Sequence, residues 1–209
     1  MQCLWPYFKR GMDIVVATLL LVILMPLFCL VAVAVRVALG TPILYREQRA
    51  GLAGRPFPIT KFRSMTEARD PLGHPLPDDA RLGAFGRWLR RTSIDELPQL
   101  ISVVRGDMSL VGPRPLPLRY VARYNPRQAR RLLVRPGLTG WAQIHGRNAL
   151  AWPERFELDA RYVDMMGRWY APAVDAWIIA STMVQLSRQA ITGRGISAVG
   201  HASMPEFMP

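Results

Sequence analysis

The chain has 209 residues, half of them hydrophobic, and a formal net charge of +12 from 27 basic and 15 acidic side chains. That length favours one domain with a real core, while a mean hydropathy of +0.10 is high for a soluble one. The two cysteines, Cys3 and Cys29, argue against a disulfide framework or a zinc site, and His74, His145 and His201 have no second ligand at a metal-binding spacing.

Only Lys9 and Lys61 among the basic residues are lysines; the other 25 are arginines. Arginine contacts phosphate through a planar fork where lysine offers a point charge, although GC-rich coding gives the same excess. Ile14 to Val35 is apolar except for Thr18, with Pro26 near its middle. A spanning helix needs roughly 20 such residues, and the run is too long for the core of a cleaved signal peptide. Basic residues flank it on both sides: Lys9 and Arg10 before, Arg36, Arg46 and Arg49 after. They give no inside–outside asymmetry. Pro26 favours a kink, so the residues allow a bent re-entrant hairpin or an ordinary transmembrane helix with a tolerated proline.

Ile43 to Met65 reads as two short strands around a turn at Gly51-Leu52-Ala53-Gly54, and the Pro-rich stretch Asp70 to Asp79 as a loop. Leu82, Phe85, Trp88 and Leu89 oppose Arg81, Arg87, Arg90 and Arg91, the pattern of a helix in a lipid headgroup layer or of a core-facing helix with a basic outer side. Ser93 and Glu96 fit a capping box for a helix running to about Val104, with Pro98 in its first turn. Further helices are expected from Asn125-Pro126 and from Trp152-Pro153, the latter with Phe156, Ala160 and Val163 on one face. A last stripe, Ala176, Ile179, Ala180, Met183 and Leu186, is too short to span and reads as a packing or interfacial helix. The expected fold is mostly α with a small β element.

The adjacent acids Asp95 and Glu96 lie in an arginine-rich segment with Gly112-Pro113-Arg114-Pro115 beyond it and Lys61-Phe62-Arg63-Ser64-Met65 before it. Two acids among many cations suit a phosphate ester: carboxylates hold a divalent metal or attack phosphorus, and cations neutralise the oxygens. Acids in a first helical turn are also ordinary caps. Arg114 is stiffened by its flanking prolines, and Lys61 and Arg63 flank the same anion if the second strand faces it.

Six segments in fixed order then carry a resemblance. They are Lys9-Arg10-Gly11-Met12-Asp13, Tyr45-Arg46-Glu47-Gln48-Arg49, the Lys61 to Met65 run, Arg91 to Gln99, Gly106 to Pro115, and Arg135 to Gln143. With the tail Gly195 to His201, they resemble the small monotopic bacterial phosphoglycosyl transferases, closest to the short form acting on UDP-diacetylbacillosamine. One departure is Met25, where the family often has a small polar residue before the membrane proline.

The resemblance implies a re-entrant helix broken at Pro26 within residues 1–40 and a membrane-associated catalytic unit over 41–209 on the cytoplasmic face of the bacterial inner membrane. It implies transfer of a sugar 1-phosphate from a UDP-sugar to polyprenyl phosphate through a covalent intermediate on Asp95. Mg²⁺ would be held by Asp95 and Glu96, and Lys61, Arg90, Arg91, Arg114 and Arg147 would lie near the phosphates. The sugar pocket would involve Gly146 to Asp159. Membrane lipids are the expected surroundings, and Trp169-Tyr170 offers a surface for a homodimer. A basic membrane-surface binding protein and a metal-dependent phosphatase are the competing classes. Nucleic acid is not an expected partner, since charge alone permits it and no recognition motif is present.

Overall fold

The computed structural model describes residues 5–146, 149–192 and 206–208. Two helices open the chain, α1 (Trp5–Ile23) and α2 (Met25–Leu39), meeting at Leu24 with a bend of 62°. Pro26 lies in the first turn of α2 and has no N–H for the carbonyl one turn back, so the ladder lapses where the sequence placed the break. Among the described residues no single helix is long and apolar enough to cross a membrane, whereas the bent pair together is.

Each helix buries one face. Ala17 of α1 packs with Phe57, Ile59, Leu100, Val103 and Met108, and Val31 and Val35 of α2 pack with Phe62 and Leu89. Val15, Leu19, Val22 and Ile23 of α1 face outward. The Lys9 to Asp13 motif fastens α1 to the rest. Lys9 Nζ lies 2.8 Å from Asp175, Arg10 donates to the carbonyls of Val103 (2.6 Å) and Val104 (2.9 Å), and Asp13 accepts from the Leu110 N–H at 3.1 Å.

Strands β1 (Leu44–Ala50) and β2 (Pro56–Phe62) form the expected antiparallel hairpin, in register from Leu44↔Phe62 to Ala50↔Pro56. Phe57 and Ile59 enter the core from one face of β2, and Lys61 extends that row to the rim. A one-turn helix, α3 (Asp78–Arg81), follows the Pro-rich loop and leads to α4 (Ala84–Thr92). Leu82 and Leu89 are buried while Trp88 is exposed, so the stripe read from the sequence divides between core and surface. Gly86 allows the close approach of α4: a Cβ there would lie 1.8 Å from the Ser64 carbonyl oxygen.

The capping box at Ser93 and Glu96 does not form. Ser93 closes α4 in the left-handed conformation (φ 56°) and its side chain caps nothing. A 3₁₀ segment (Ile94–Gln99) follows, and only then α5 (Leu100–Arg105). Two helices abutting at one residue give Ser93 a C-terminal role, and the Glu96 carboxylate is engaged elsewhere.

Strand β3 (Ser109–Val111) pairs in parallel with β4 (Gly137–Thr139), and a Cβ on Gly137 would lie 2.0 Å from the Gly112 nitrogen. Only glycines permit this crossing, which fixes where Pro113-Arg114 emerges. Helix α6 (Pro126–Ala129) starts with the expected cap, here a full capping box between Asn125 and Gln128. After α7 (Trp141–Ile144) comes α8 (Trp152–Met165), which buries Phe156 and Ala160. The last helix, α9 (Ala171–Thr192), turns Asp175, Ile178 and Gln189 inward, and the stripe Ala176, Ile179, Ala180 and Met183 outward. Leu186 is half-buried.

Candidate active site

The 3₁₀ segment presents Asp95 and Glu96 in different directions. Glu96 is locked: its Oε1 accepts from Lys61 Nζ at 2.7 Å and Arg114 Nη2 at 2.5 Å, and its Oε2 from Arg114 Nη1 at 3.2 Å. Burial alone would raise its pKa, but Arg114 and then Lys61 override it and hold the carboxyl well below the usual range. Asp95 is 5 % exposed and its Oδ1 has no hydrogen-bond partner. Burial, reinforced by the Glu96 charge, pushes its pKa up to about 6 against the pull of Lys61, Arg90 and Arg114. An unperturbed aspartate is fully ionised at neutral pH. The fold makes Asp95 one that titrates near neutrality.

These groups line one cavity of about 1590 Å³. Lys61 and Arg114 enter it from β2 and from the loop after β3. The Arg114 carbonyl oxygen is gripped by Arg131 at 2.5 Å, and Arg131 is itself buried 3.0 Å from Asp159. Arg90 donates to Ser64 Oγ at 3.0 Å, and Arg91 keeps its Nε buried without a hydrogen bond; both line the cavity. Arg63, considered beside Lys61, is committed elsewhere: its guanidinium donates to the carbonyls of Leu39 and of Thr41 (2.8 Å), closing the end of α2. Arg147 and the 195–201 tail lie outside the described residues.

Several lining residues were not singled out from the sequence. Gln99 is buried with its amide nitrogen unpaired, one turn beyond Asp95 inside the quoted motif, and its position there was the available signal. Trp152 and Arg155 enter from α8. Thr139 and Thr182, with hydroxyls 2.6 Å apart, tie β4 to α9. Nothing local in the sequence marks such long-range pairs. Among the described residues no three His, Cys, Asp or Glu side chains converge as a metal cage.

A sequence model described as bacterial sugar transferase matches residues 4–189, most of the chain and all of the cavity apart from Glu206. The chain belongs to that family. This sugar transferase is similar to EpsL of Bacillus subtilis (strain 168), described as an uncharacterized sugar transferase: 43 % identical over 199 residues, 95 % of each chain. It is 38 % identical over 172 residues to the UDP-glucose:undecaprenyl-phosphate glucose-1-phosphate transferase of Escherichia coli (strain K12), covering 78 % of this chain and 37 % of that one. The undecaprenyl-phosphate galactose phosphotransferase of Salmonella typhimurium (strain LT2) is also 38 % identical, over 180 residues, 78 % of this chain and 38 % of its own. The chain thus spans well under half the length of these two larger relatives.

Proposed function

We propose that this sugar transferase moves a sugar 1-phosphate from a UDP-sugar to undecaprenyl or a related polyprenyl phosphate, releasing UMP, with Asp95 as the nucleophile. Relatives named for this reaction with different sugars support the reaction class. The observation that carries the residue assignment is the division of labour between the acids: Glu96 is fully paired, while Asp95 keeps a buried, unpaired oxygen in a cation-lined cavity.

In the first step an Asp95 carboxylate oxygen bonds to the β-phosphorus. The bond from that phosphorus to the bridging oxygen breaks, and UMP leaves with the electron pair. In the second, a phosphate oxygen of the polyprenyl phosphate bonds to the same phosphorus and Asp95 departs as carboxylate. A carboxylate nucleophile divides one hard displacement into two. Lys61 and Arg114 neutralise the oxygens, and Glu96, charged at any working pH, keeps both cations aimed into the cavity.

The donor set suits Mg²⁺ in part. The unpaired Asp95 Oδ1 is a free hard donor, whereas both Glu96 oxygens are engaged, so Asp95 would be the main protein ligand, with substrate phosphates completing the shell. Bound there, the ion would supply charge neutralisation at the diphosphate.

The α1–α2 pair is read as re-entrant, entering the cytoplasmic leaflet and returning, with the outward stripe of α9 and Trp88 lying in the interface. The 62° bend and those exposed apolar residues support this reading, which gives the lipid acceptor access from the bilayer. Trp169 and Tyr170 are both exposed, which supports the reading that they form the surface of a homodimer.

The test is incubation with polyprenyl phosphate and a panel of UDP-sugars, measuring UMP and lipid-linked sugar. A phosphatase would yield sugar phosphate in water, and a binding protein no product. Asp95→Asn should abolish UMP release and trapping of the covalent adduct; full activity in that variant overturns the assignment.

A further inference from the structure

The cavity that holds the acid pair has an apolar stretch of wall that the phosphate chemistry leaves unused. Val16 and Leu20 of α1, Leu110 of β3, Leu138 of β4, and Ile179 and Met183 of α9 all line it. Each helix offers a pair one turn apart, and therefore one face. Leu110 and Leu138 stand opposite each other, between the register pairs Ser109↔Gly137 and Val111↔Thr139. Helix α1 packs on β3, and α9 on α1, β3 and β4, so these side chains adjoin. Leu20, Leu110 and Leu138 are half-buried on the core around Ala17 and Leu100, whereas Val16, Ile179 and Met183 are exposed.

A nucleotide sugar does not account for this stretch. Uracil, ribose, diphosphate and sugar all carry hydrogen-bonding groups, and burying them on hydrocarbon leaves those groups unpaired. Volume points the same way: about 1590 Å³ exceeds the roughly 300–1,000 Å³ of a pocket for one small molecule. The second reactant is a lipid. The exposed members of the stretch continue the outward faces of α1 and α9 that are read above as lying in the membrane.

We propose that the apolar stretch between α1 and α9 is the seat of the first isoprene units of the polyprenyl phosphate acceptor. The inference deepens the transferase reading above and rests on it. Strand β3 connects the two parts of the site: Leu110 lies in the apolar stretch, and Arg114, a few residues on, binds Glu96. A chain lying across Leu110 and Leu138 brings its phosphate toward the cations while its remainder passes along α1 and α9 into lipid. Since the chain leaves one hydrocarbon surrounding for another, the gain is chiefly orientation of the attacking phosphate.

In a two-step transfer, kcat/KM for each substrate reports its own half-reaction. The test measures both for the full-length protein in detergent micelles, with undecaprenyl phosphate and whichever UDP-sugar yields UMP with the wild type. Met183 is 60 % exposed and Ile179 40 %, so glutamine at either position leaves the core intact. Ile179→Gln and Met183→Gln should each lower kcat/KM for undecaprenyl phosphate by about tenfold, because an unpaired amide faces the chain. That for the UDP-sugar should hold. Val184→Gln is the control for a general loss of lipid contact: Val184 is exposed on α9 beside Met183 and does not line the cavity. It should change neither value. Undecaprenyl phosphate values within about twofold of wild type in both cavity variants, an equal loss in Val184→Gln, or an equal loss for the UDP-sugar overturns the acceptor seat. Wild-type protein that yields neither UMP nor lipid-linked sugar overturns the transferase reading itself, a distinct result.

Discussion

Asp95 and Glu96 are neighbours in sequence with opposite electrostatic fates: Glu96 holds three hydrogen bonds from Lys61 and Arg114, while Asp95 Oδ1 is buried with none. A 3₁₀ segment, tighter than an α-helix, separates the two carboxyls so that one structures the site and the other is left to react.

The first consequence concerns rate against pH. The ionised form of Asp95 is the nucleophile, and burial has moved its pKa from 3.8 to about 6. At limiting Mg²⁺, kcat/KM for UMP release, which reports the free enzyme, should fall as pH drops through about 6, and Mg²⁺ held on Asp95 should move that limb lower. An acid limb near pH 4 would show that Asp95 behaves as an exposed carboxylate.

The same shift has a signed effect on stability. The folded pKa lies above the unfolded one, so between about pH 4 and 6 the native state binds more protons than the unfolded chain. Stability is therefore lost as pH rises through that window, and the full cost, about 2–3 kcal/mol for a shift of this size, is present above it. Asp95→Asn removes the charge. It should melt a few degrees higher than wild type at pH 7.5, and no higher at pH 4, while losing activity.

Glu96 is expected to behave in the reverse way. Glu96→Gln leaves Lys61 and Arg114 facing each other without their shared acid, in surroundings that are partly solvated. A loss of about 1–3 kcal/mol is expected, discounted for that solvent access. UMP release should fall as the two cations lose their aim. A variant with wild-type rates and melting would reduce Glu96 to a bystander.

What the sequence made legible follows from how local each cause is. Pro26, the Gly51 to Gly54 turn and the Asn125 cap are decided within a few residues, and all three appear where expected. Ser93 had the right spacing for an N-cap, but α4 ends on it, and that depends on Leu82 and Leu89 reaching the core. Lys61 and Arg63 looked equivalent two residues apart; strand β2 ends between them, sending one to Glu96 and the other to α2.

Gly137 tests how far backbone packing controls the site. Its missing Cβ lets β4 lie against Gly112, immediately before Pro113-Arg114. Gly137→Ala should push the strands apart, cost about 1–3 kcal/mol as overpacking does, and lower activity by displacing Arg114. Thermal melting with UMP-release kinetics checks both; unchanged values would mean that the crossing relaxes freely.

The topology of the bent helices separates the two arrangements that the sequence left open. A re-entrant pair keeps Tyr7 and Thr41, just outside α1's apolar run and just after α2, on the cytoplasmic side; a spanning pair puts them on opposite sides. Tyr7→Cys and Thr41→Cys, each in a background with Cys3 and Cys29 replaced by serine, can be exposed to a membrane-impermeant maleimide in intact spheroplasts and after lysis. Arg10 of α1 donates to the Val103 and Val104 carbonyls, and Arg63 beyond β2 donates to the Leu39 and Thr41 carbonyls at the end of α2. Both ends of the pair are thereby fastened to the folded unit, so both sites should stay unlabelled in intact spheroplasts and label after lysis. Labelling of either one before lysis would establish a spanning segment and overturn the re-entrant reading.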